Sequence, residues 1–468
     1  MASGPMSVRG FRLLLAGQLS STVGDYCYAV ALPWLILSGD GGPVLLGTVL
    51  ACYGIPRVVT IPLGGVVADR IGGQRVMLIA DLVRAVAVGI LAVVAFTGTP
   101  TLAQLAPIAV VLGACSGVFI PASYTLLPAL LTKEDLGQGN ALSTMVNQVG
   151  GLLGPTVGGA LVAGFGAGPA LTVDAASFLV SAVVLARIRT GAGPADEAAR
   201  AQDGPVGQDG GADEGDGTGD AGKNTARKPS FVELLRHGRL LHVVLVVALV
   251  CNLAFNGTIE VALPELAHQG MGAAGYGVLL TCLSLGGLAG SVLAARSRPV
   301  DSPAYLFAAL AVVMGVALGA VPYAGGLVGA AVCVCVYSMA SGWQNIVVVT
   351  MLQVWAPSAL IGRVMSLVML AVMGTFPISV AVAGFGVRHL GAAPFFPVAG
   401  AAIALAVLGA LTQKAFRNHR SGTEYVPQAP APAPAPVTAR APADLPAPDV
   451  PAVRSTHPRQ DNSQESQR

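Results

Sequence analysis

The feature that most constrains this chain is its succession of long apolar runs, such as 240–263 and 393–411, in which charged side chains are nearly absent. A hydrocarbon layer about 30 Å thick is crossed by about 20 residues of helix. Inside lipid every backbone N–H and C=O must be satisfied within the segment, so runs of this length read as helices. Composition agrees: apolar residues make up 54% and charged residues 11%, where a soluble domain carries about 25% charged. The 60 glycines suit helices packed closely in a membrane, where small residues form the contacts. The net charge of +2, with no basic patch interleaved with aromatics, gives no reason to expect a nucleic-acid partner.

Twelve spans are predicted, at 11–37, 44–67, 76–96, 102–127, 138–164 and 169–189, then 239–263, 274–296, 302–321, 325–354, 361–387 and 393–413. Cytoplasmic loops collect Lys and Arg. Even-numbered loops hold Arg70 and Arg75, Lys133, the run from Arg187 to Arg239, Arg296 with Arg298, and Arg363, whereas odd-numbered loops hold only Arg388. This alternation places both termini in the cytoplasm. Arg9 and Arg12 before an apolar stretch resemble a signal peptide, but Ser20, Ser21, Thr22 and Asp25 interrupt the stretch, so an uncleaved first span is expected. All seven cysteines fall inside spans, which argues against a disulfide framework. Cys333 and Cys335, two apart on a helix, point to different sides and cannot share a metal. No metal or cofactor is expected.

The domain organisation read from this pattern is a cytoplasmic N-terminus at 1–10, a six-helix bundle at 11–190, a disordered cytoplasmic linker at 191–230, a second six-helix bundle at 231–413, and a disordered Pro/Ala-rich cytoplasmic tail at 414–468. The linker and tail lack the apolar content that offsets ordering entropy. Within the linker, Gly217-Thr218-Gly219-Asp220-Ala221-Gly222-Lys223-Asn224 nearly spells a phosphate-binding loop. It has Asn where Ser or Thr would hold magnesium and no strand before it, so ATP-driven chemistry is not expected. An internal echo joins the halves: Gly154-Pro155 leading to Ala163-Gly164-Phe165-Gly166 in the fifth span, and Gly374-Thr375-Phe376-Pro377 leading to Ala383-Gly384-Phe385-Gly386 in the eleventh. The expected fold is therefore all-α, with 12 transmembrane helices in two pseudo-symmetric six-helix bundles. Parallel repeats of this kind place a binding site between the halves, near the membrane midplane.

Between spans two and three the chain reads Gly64-Gly65-Val66-Val67-Ala68-Asp69-Arg70-Ile71-Gly72-Gly73-Gln74-Arg75. This resembles the signature loop of the major facilitator superfamily, with Gly65, Asp69, Arg70, Gly72 and Arg75 as the gating motif. The family's basic pair is degraded here to Gly73-Gln74, and Arg75 comes one place late. Span five holds Gly150-Gly151-Leu152-Leu153-Gly154-Pro155-Thr156-Val157-Gly158-Gly159. It is similar to the motif associated with exporters and antiporters of the superfamily, carried by Gly150, Gly154, Pro155, Gly158 and Gly159. The stretches Gln18 to Asp25, Pro121-Ala122-Ser123, Gly139 to Leu142, Asp174 to Phe178 and Gly362 to Ser366 resemble the macrolide-efflux and enterobactin-exporter branch. The resemblance covers about 11 to 413 apart from the linker. It implies the major facilitator fold and alternating access, with Asp69 meeting the start of helix eleven, near 358–361, when the cytoplasmic side closes. Span four lacks the intramembrane Arg of many drug–proton antiporters, so their proton relay does not carry over.

Charges inside the bilayer cost from about 2.5 to above 10 kcal/mol, so each needs a reason. Asp25 lies roughly 20 Å along its helix from Arg12, and Arg57 roughly 18 Å from Asp69, at 1.5 Å per residue. Both are expected near the midplane, where they would pair while Asp25 is deprotonated; a permanent structural pair is the alternative. Glu260, roughly 31 Å from Arg239 by the same rise, is expected near the outer surface, solvated, and is kept as a third coupling candidate. Gln18, Asn147, Asn252, Asn256, Gln344 and Asn345 are candidate cavity-lining residues. Asp81 with Arg84 at i, i+3 reads as a local structural pair, and Asp174 as a carboxylate favoured by a helix N-terminus. Together these imply a proton-coupled secondary transporter that exports hydrophobic or amphipathic small molecules. Export of one metabolite or siderophore, and a non-transporting receptor or scaffold, are the alternatives. The expected partners are the small molecule, protons and the lipid bilayer, with the chain a monomer. Four lysines against twenty-two arginines, with abundant Ala, Gly and Val, point to a high-GC bacterium and hence to its plasma membrane.

Overall fold

A computed structural model of the chain describes residues 4–39, 41–132, 135–188, 234–236, 238–297, 302–357 and 360–418. Twelve long helices follow one another among these residues. They are α1 (Arg9–Leu37), α2 (Gly42–Ile71), α3 (Gly73–Thr97), α4 (Leu102–Leu130), α5 (Leu136–Phe165), α6 (Ala167–Arg187), α7 (Arg239–Gly270), α8 (Gly272–Arg296), α9 (Pro303–Ala320), α10 (Leu327–Trp355), α11 (Ile361–Leu390) and α12 (Phe395–Thr412). Eleven of them are long and apolar enough to cross a membrane. The exception, α1, carries the run of polar residues from Gln18 to Asp25.

Local chemistry explains where several helices start and break. Thr101 and Gln104 form a reciprocal cap on α4, with the Thr101 N–H donating to the Gln104 side chain at 2.9 Å. The α2–α3 turn runs through Gly72 at φ 89°, a conformation that disfavours a side chain. In α11 the helix breaks at Thr375, just ahead of Pro377, which has no N–H to continue the ladder. In α7 a π-helical turn, Thr258–Ala262, carries Glu260, with Pro264 just beyond it.

The helices pair twice by the same rule. In the first bundle α1 packs on α5 and α6, α2 on α4, and α3 on α4 and α6. In the second, α7 packs on α11 and α12, α8 on α10, and α9 on α10 and α12. Each of these pairings recurs six helices later, which is the pseudo-symmetry of two six-helix bundles. The bundles join where α5 meets α8 and α2 meets α11, contacts that exchange under the same shift. Glycine makes both crossings possible. A Cβ on Gly277 would meet the Pro155 carbonyl and lie 3.0 Å from the Gly159 Cα. A Cβ on Gly384 would lie 3.1 Å from the Gly47 Cα, and one on Gly47 would meet the Val380 carbonyl.

Three expectations change. The repeat is present, but packing matches Pro155 with Val380 and Gly159 with Gly384, a uniform offset that the Ala-Gly-Phe-Gly echo misses by five residues. Gly164 of that echo has open space around it. Helix α7 continues to Gly270, seven residues beyond the predicted end, so Glu260 lies well below its tip. The tail predicted from 414 begins with a short helix, Lys414–Arg417, whose Phe416 is buried edge-on against Phe307 at 5.7 Å. The linker 191–230, the phosphate-loop-like stretch, Lys133 and most of the tail lie outside the described residues.

Candidate functional site

A cavity of about 830 Å³ lies in the first bundle and reaches the interface with the second. Helices α1 to α6 contribute most of its wall, and α7 and α11 add Glu260 and Phe376. The two bundles touch most closely through 151–159 against 273–284 and through 43–54 against 376–384. Thr156 and Thr281 share a hydrogen bond of 2.9 Å within the first of these contacts. At that end of the molecule Trp34 of α1 stacks edge-on against His268 of α7 at 4.9 Å, and Ser38 approaches His268 Nε2 at 3.4 Å. From there the cavity wall runs toward the opposite face, out to Leu14, Leu127, Pro128 and Leu136. The cavity is therefore sealed on the Ser38 face and continues toward the face that carries Arg70.

Charged side chains converge on this space. Asp25, Arg57, Arg84, Asp174 and Glu260 come from five different helices, and all five line it. Asp25 presents its surface to the cavity and interacts electrostatically first with Arg84 and then with Arg57. Glu260 faces Arg57 from the second bundle. No direct ion pair joins Asp25 to Arg57; both belong to this wider network. Glu260 is not near the outer surface: it lies ten residues before Gly270, roughly 15 Å below the helix tip at the α-helical rise.

Arg84 and Asp174 do more than the sequence implied. The Arg84 guanidinium pairs with Asp81 at 3.6 Å and lies over the Phe119 ring at 4.5 Å and the Phe178 ring at 5.3 Å. Asp81 also accepts a hydrogen bond from Ser181 at 2.7 Å. Asp174 stands two turns inside α6, which begins at Ala167, so it is not an end-capping carboxylate. Five polar atoms around the cavity are buried without a hydrogen-bond partner: Gln18 Oε1, Arg57 Nε, Arg84 Nε, Ser143 Oγ and Asp174 Oδ1. Native interiors rarely leave such atoms unsatisfied, and a binding space is where they are expected.

The remaining candidates divide. Gln18 and Asn147 line the cavity, and Thr22 donates to the Asn147 side chain at 3.1 Å. Asn252 turns back on its own helix, donating to the Ala248 carbonyl at 2.8 Å, and Asn256 is half-buried nearby on α7. Neither touches the cavity wall. Gln344 is buried in the second bundle, where it ties α10 to α9 through the Phe307 carbonyl at 3.1 Å, and Asn345 is exposed. Both fall outside the cavity. In the α5 motif Gly150, Gly154 and Gly158 form a stripe against Thr22, Tyr26 and Cys27 of α1, while Gly159 and Pro155 meet α8. In the α2–α3 loop Asp69, Arg70, Gly72 and Arg75 are exposed, and Gly65 has open space beside it. Gln74 donates to the Leu185 and Ile188 carbonyls at 2.6 and 2.7 Å, capping the end of α6.

Twelve long helices in two related bundles beside a charged cavity are the architecture of a membrane-transporter fold. The model of the Major Facilitator Superfamily matches residues 14–375, and the chain belongs to that family. It is 27% identical over 178 residues to the uncharacterized MFS-type transporter YfiS of Bacillus subtilis, covering 38% of this chain and 42% of that one. It is 28% identical over 191 residues to the multidrug efflux pump Tap of Mycolicibacterium fortuitum, covering 39% and 46%. The chain thus spans less than half the length of these curated relatives. Among solved structures, a point mutant of the peptide transporter POT in complex with sulfate superposes with a TM-score of 0.68 at 15% identity, over 88% of this chain and 96% of that one. A point mutant of the nucleoside transporter NupG superposes with a TM-score of 0.64 at 12% identity, over 86% and 99%. These two share the fold.

Proposed function

We propose that the chain is a secondary active exporter, coupled to protons, that moves amphipathic organic molecules across the plasma membrane by alternating access. The observation that carries this reading is the cavity itself. Acids and bases from five helices meet there beside the rings of Tyr26, Tyr28, Tyr53, Phe119 and Phe178. An amphipathic molecule finds stacking surface and polar partners together in such a space. Asp25 and Glu260 are the carboxylates open to it, and protonation of either would weaken the attraction it exerts on Arg57. The likeness of 191 residues to a multidrug efflux pump, and the α5 motif, favour export. The Lys and Arg bias of the loops favours a cytoplasmic Arg70 face and cytoplasmic termini, and on that reading this conformation opens inward.

Accumulation of a panel of dyes, antibiotics and metabolites, in cells with and without the gene and with a protonophore, tests the reading. The expected result is lower accumulation of at least one compound, abolished by the protonophore. Export by Asp25→Asn with an unchanged pH dependence would remove Asp25 from the coupling.

A further inference from the structure

Asp174 is 1% exposed, its Oδ1 has no partner, and it lies on the wall of the cavity behind Asp25. A helix end cannot be its purpose, because it sits seven residues past the first residue of α6 and the helix-end effect fades within one turn. Its surroundings come from three elements. From α1 it faces Asp25, Cys27 and Tyr28; from α3 it faces Arg84; on α6 itself Ser177 lies one turn on. Arg84 is already held by Asp81. The charge inventory of the region is thus four carboxylates, Asp25, Asp81, Asp174 and Glu260, against two guanidiniums, Arg57 and Arg84. Uncompensated buried charge is costly enough that a group either finds a partner or gives up its charge. Asp25 and Glu260 open onto the cavity, where water can solvate them, but Asp174 is enclosed and Arg84 is already engaged, so the charge of Asp174 calls for a positive charge from outside the protein.

That positive charge has little room. The backbone of Gly24 presses on Asp174 so closely that a Cβ there would lie 2.6 Å from Oδ1 and would also meet the Ser177 hydroxyl. An organic ammonium group does not fit between α1 and α6; a proton does.

We infer that Asp174 is a second proton-binding site, distinct from Asp25, and that the cavity exchanges two protons in each cycle. Asp174 lines the cavity itself and senses the charge of Asp25. Arg84 is the positioning residue: held by Asp81 and the two rings, it keeps a fixed positive charge beside both carboxylates. The stoichiometry rests on the proton-coupled reading above; the protonation of Asp174 does not.

The test is an infrared pH titration of the purified full chain in lipid nanodiscs, read at the carbonyl band of protonated carboxyl groups. Wild type should show two components, one lost in Asp25→Asn and the other in Asp174→Asn. Asp174→Glu should keep its component at a shifted frequency, which also covers the case in which the Asn variant does not fold. In proteoliposomes, with ethidium as the transported probe, protons moved per ethidium should fall from two to one in Asp174→Asn. A folded Asp174→Asn with the wild-type spectrum would overturn the proposal, as would an Asp174→Glu titration identical to wild type or a ratio that stays at two. Ethidium transport without proton flux in wild type would instead remove the coupling reading, while the infrared bands still decide whether Asp174 takes a proton.

Discussion

Arg84 shows how much one side chain gains from tertiary context. Its charge could be kept by lysine, but an ammonium has no flat face to lie on Phe119 and Phe178 and no fork to hold Asp81. Arg84→Lys should cost about 1–2 kcal/mol, the range for a desolvated cation–π contact, seen as a lower melting temperature in detergent. Transport should fall with it, because the fixed charge beside Asp25 becomes mobile. Gln74 is the complementary case. The family resemblance marks it as a lost basic residue, yet its amide reaches two carbonyls at the end of α6. Gln74→Ala should lose about 1–3 kcal/mol by leaving those acceptors short of a donor, whereas Gln74→Lys should recover part of that through a cation at a helix C-terminus. Thermal unfolding of the three proteins side by side distinguishes these outcomes.

Between helices, the crossings decide which face of the cavity is sealed. Gly277→Val would drive two methyl groups into the Pro155 carbonyl and the Gly159 Cα, where backbone faces backbone and no flexible side chain can yield. The bundles should part on the Ser38 face. In a cysteine-free background, Tyr28→Cys should then react faster with an impermeant thiol reagent supplied from that face. His268→Ala, which removes one ring contact and one long hydrogen bond, should raise the same rate by less. The sequence made the helices themselves legible, since twelve apolar runs bounded by charge can form little else in lipid. It did not reveal how they meet. Small residues recur along these helices, so the Ala-Gly-Phe-Gly echo looked like a register mark, although of its four glycines only Gly384 lies at a crossing between the bundles. The length of α7 was hidden for a related reason: Glu260 and Glu265 look like an exit from the membrane, while the helix continues through them to Gly270.

At the scale of the whole molecule, direction around a helix was not readable. Asp25 and Arg57 were expected near the midplane from counting residues, and both line the cavity. Arg84 and Asp174 were missed because each had a sufficient local explanation, an i, i+3 partner and a nearby helix start; only the packing of α1, α3 and α6 brings them to one point. The same reasoning bears on Asp69, which is exposed here on the face toward which the cavity continues. If the bundles rock so that this face closes, as the family resemblance implies, Asp69 would meet the positive end of α11. A carboxylate there contributes about 0.3–1 kcal/mol, which is about a two- to fivefold change in the balance between closed and open forms. Asp69 makes no contact with the cavity wall, so its removal leaves the binding residues as they are. Asp69→Asn should therefore lower the maximal rate of ethidium transport in proteoliposomes by that factor at nearly constant KM. A raised KM at an unchanged maximal rate would place Asp69 in binding rather than in closure, and the rocking of these bundles would need another latch.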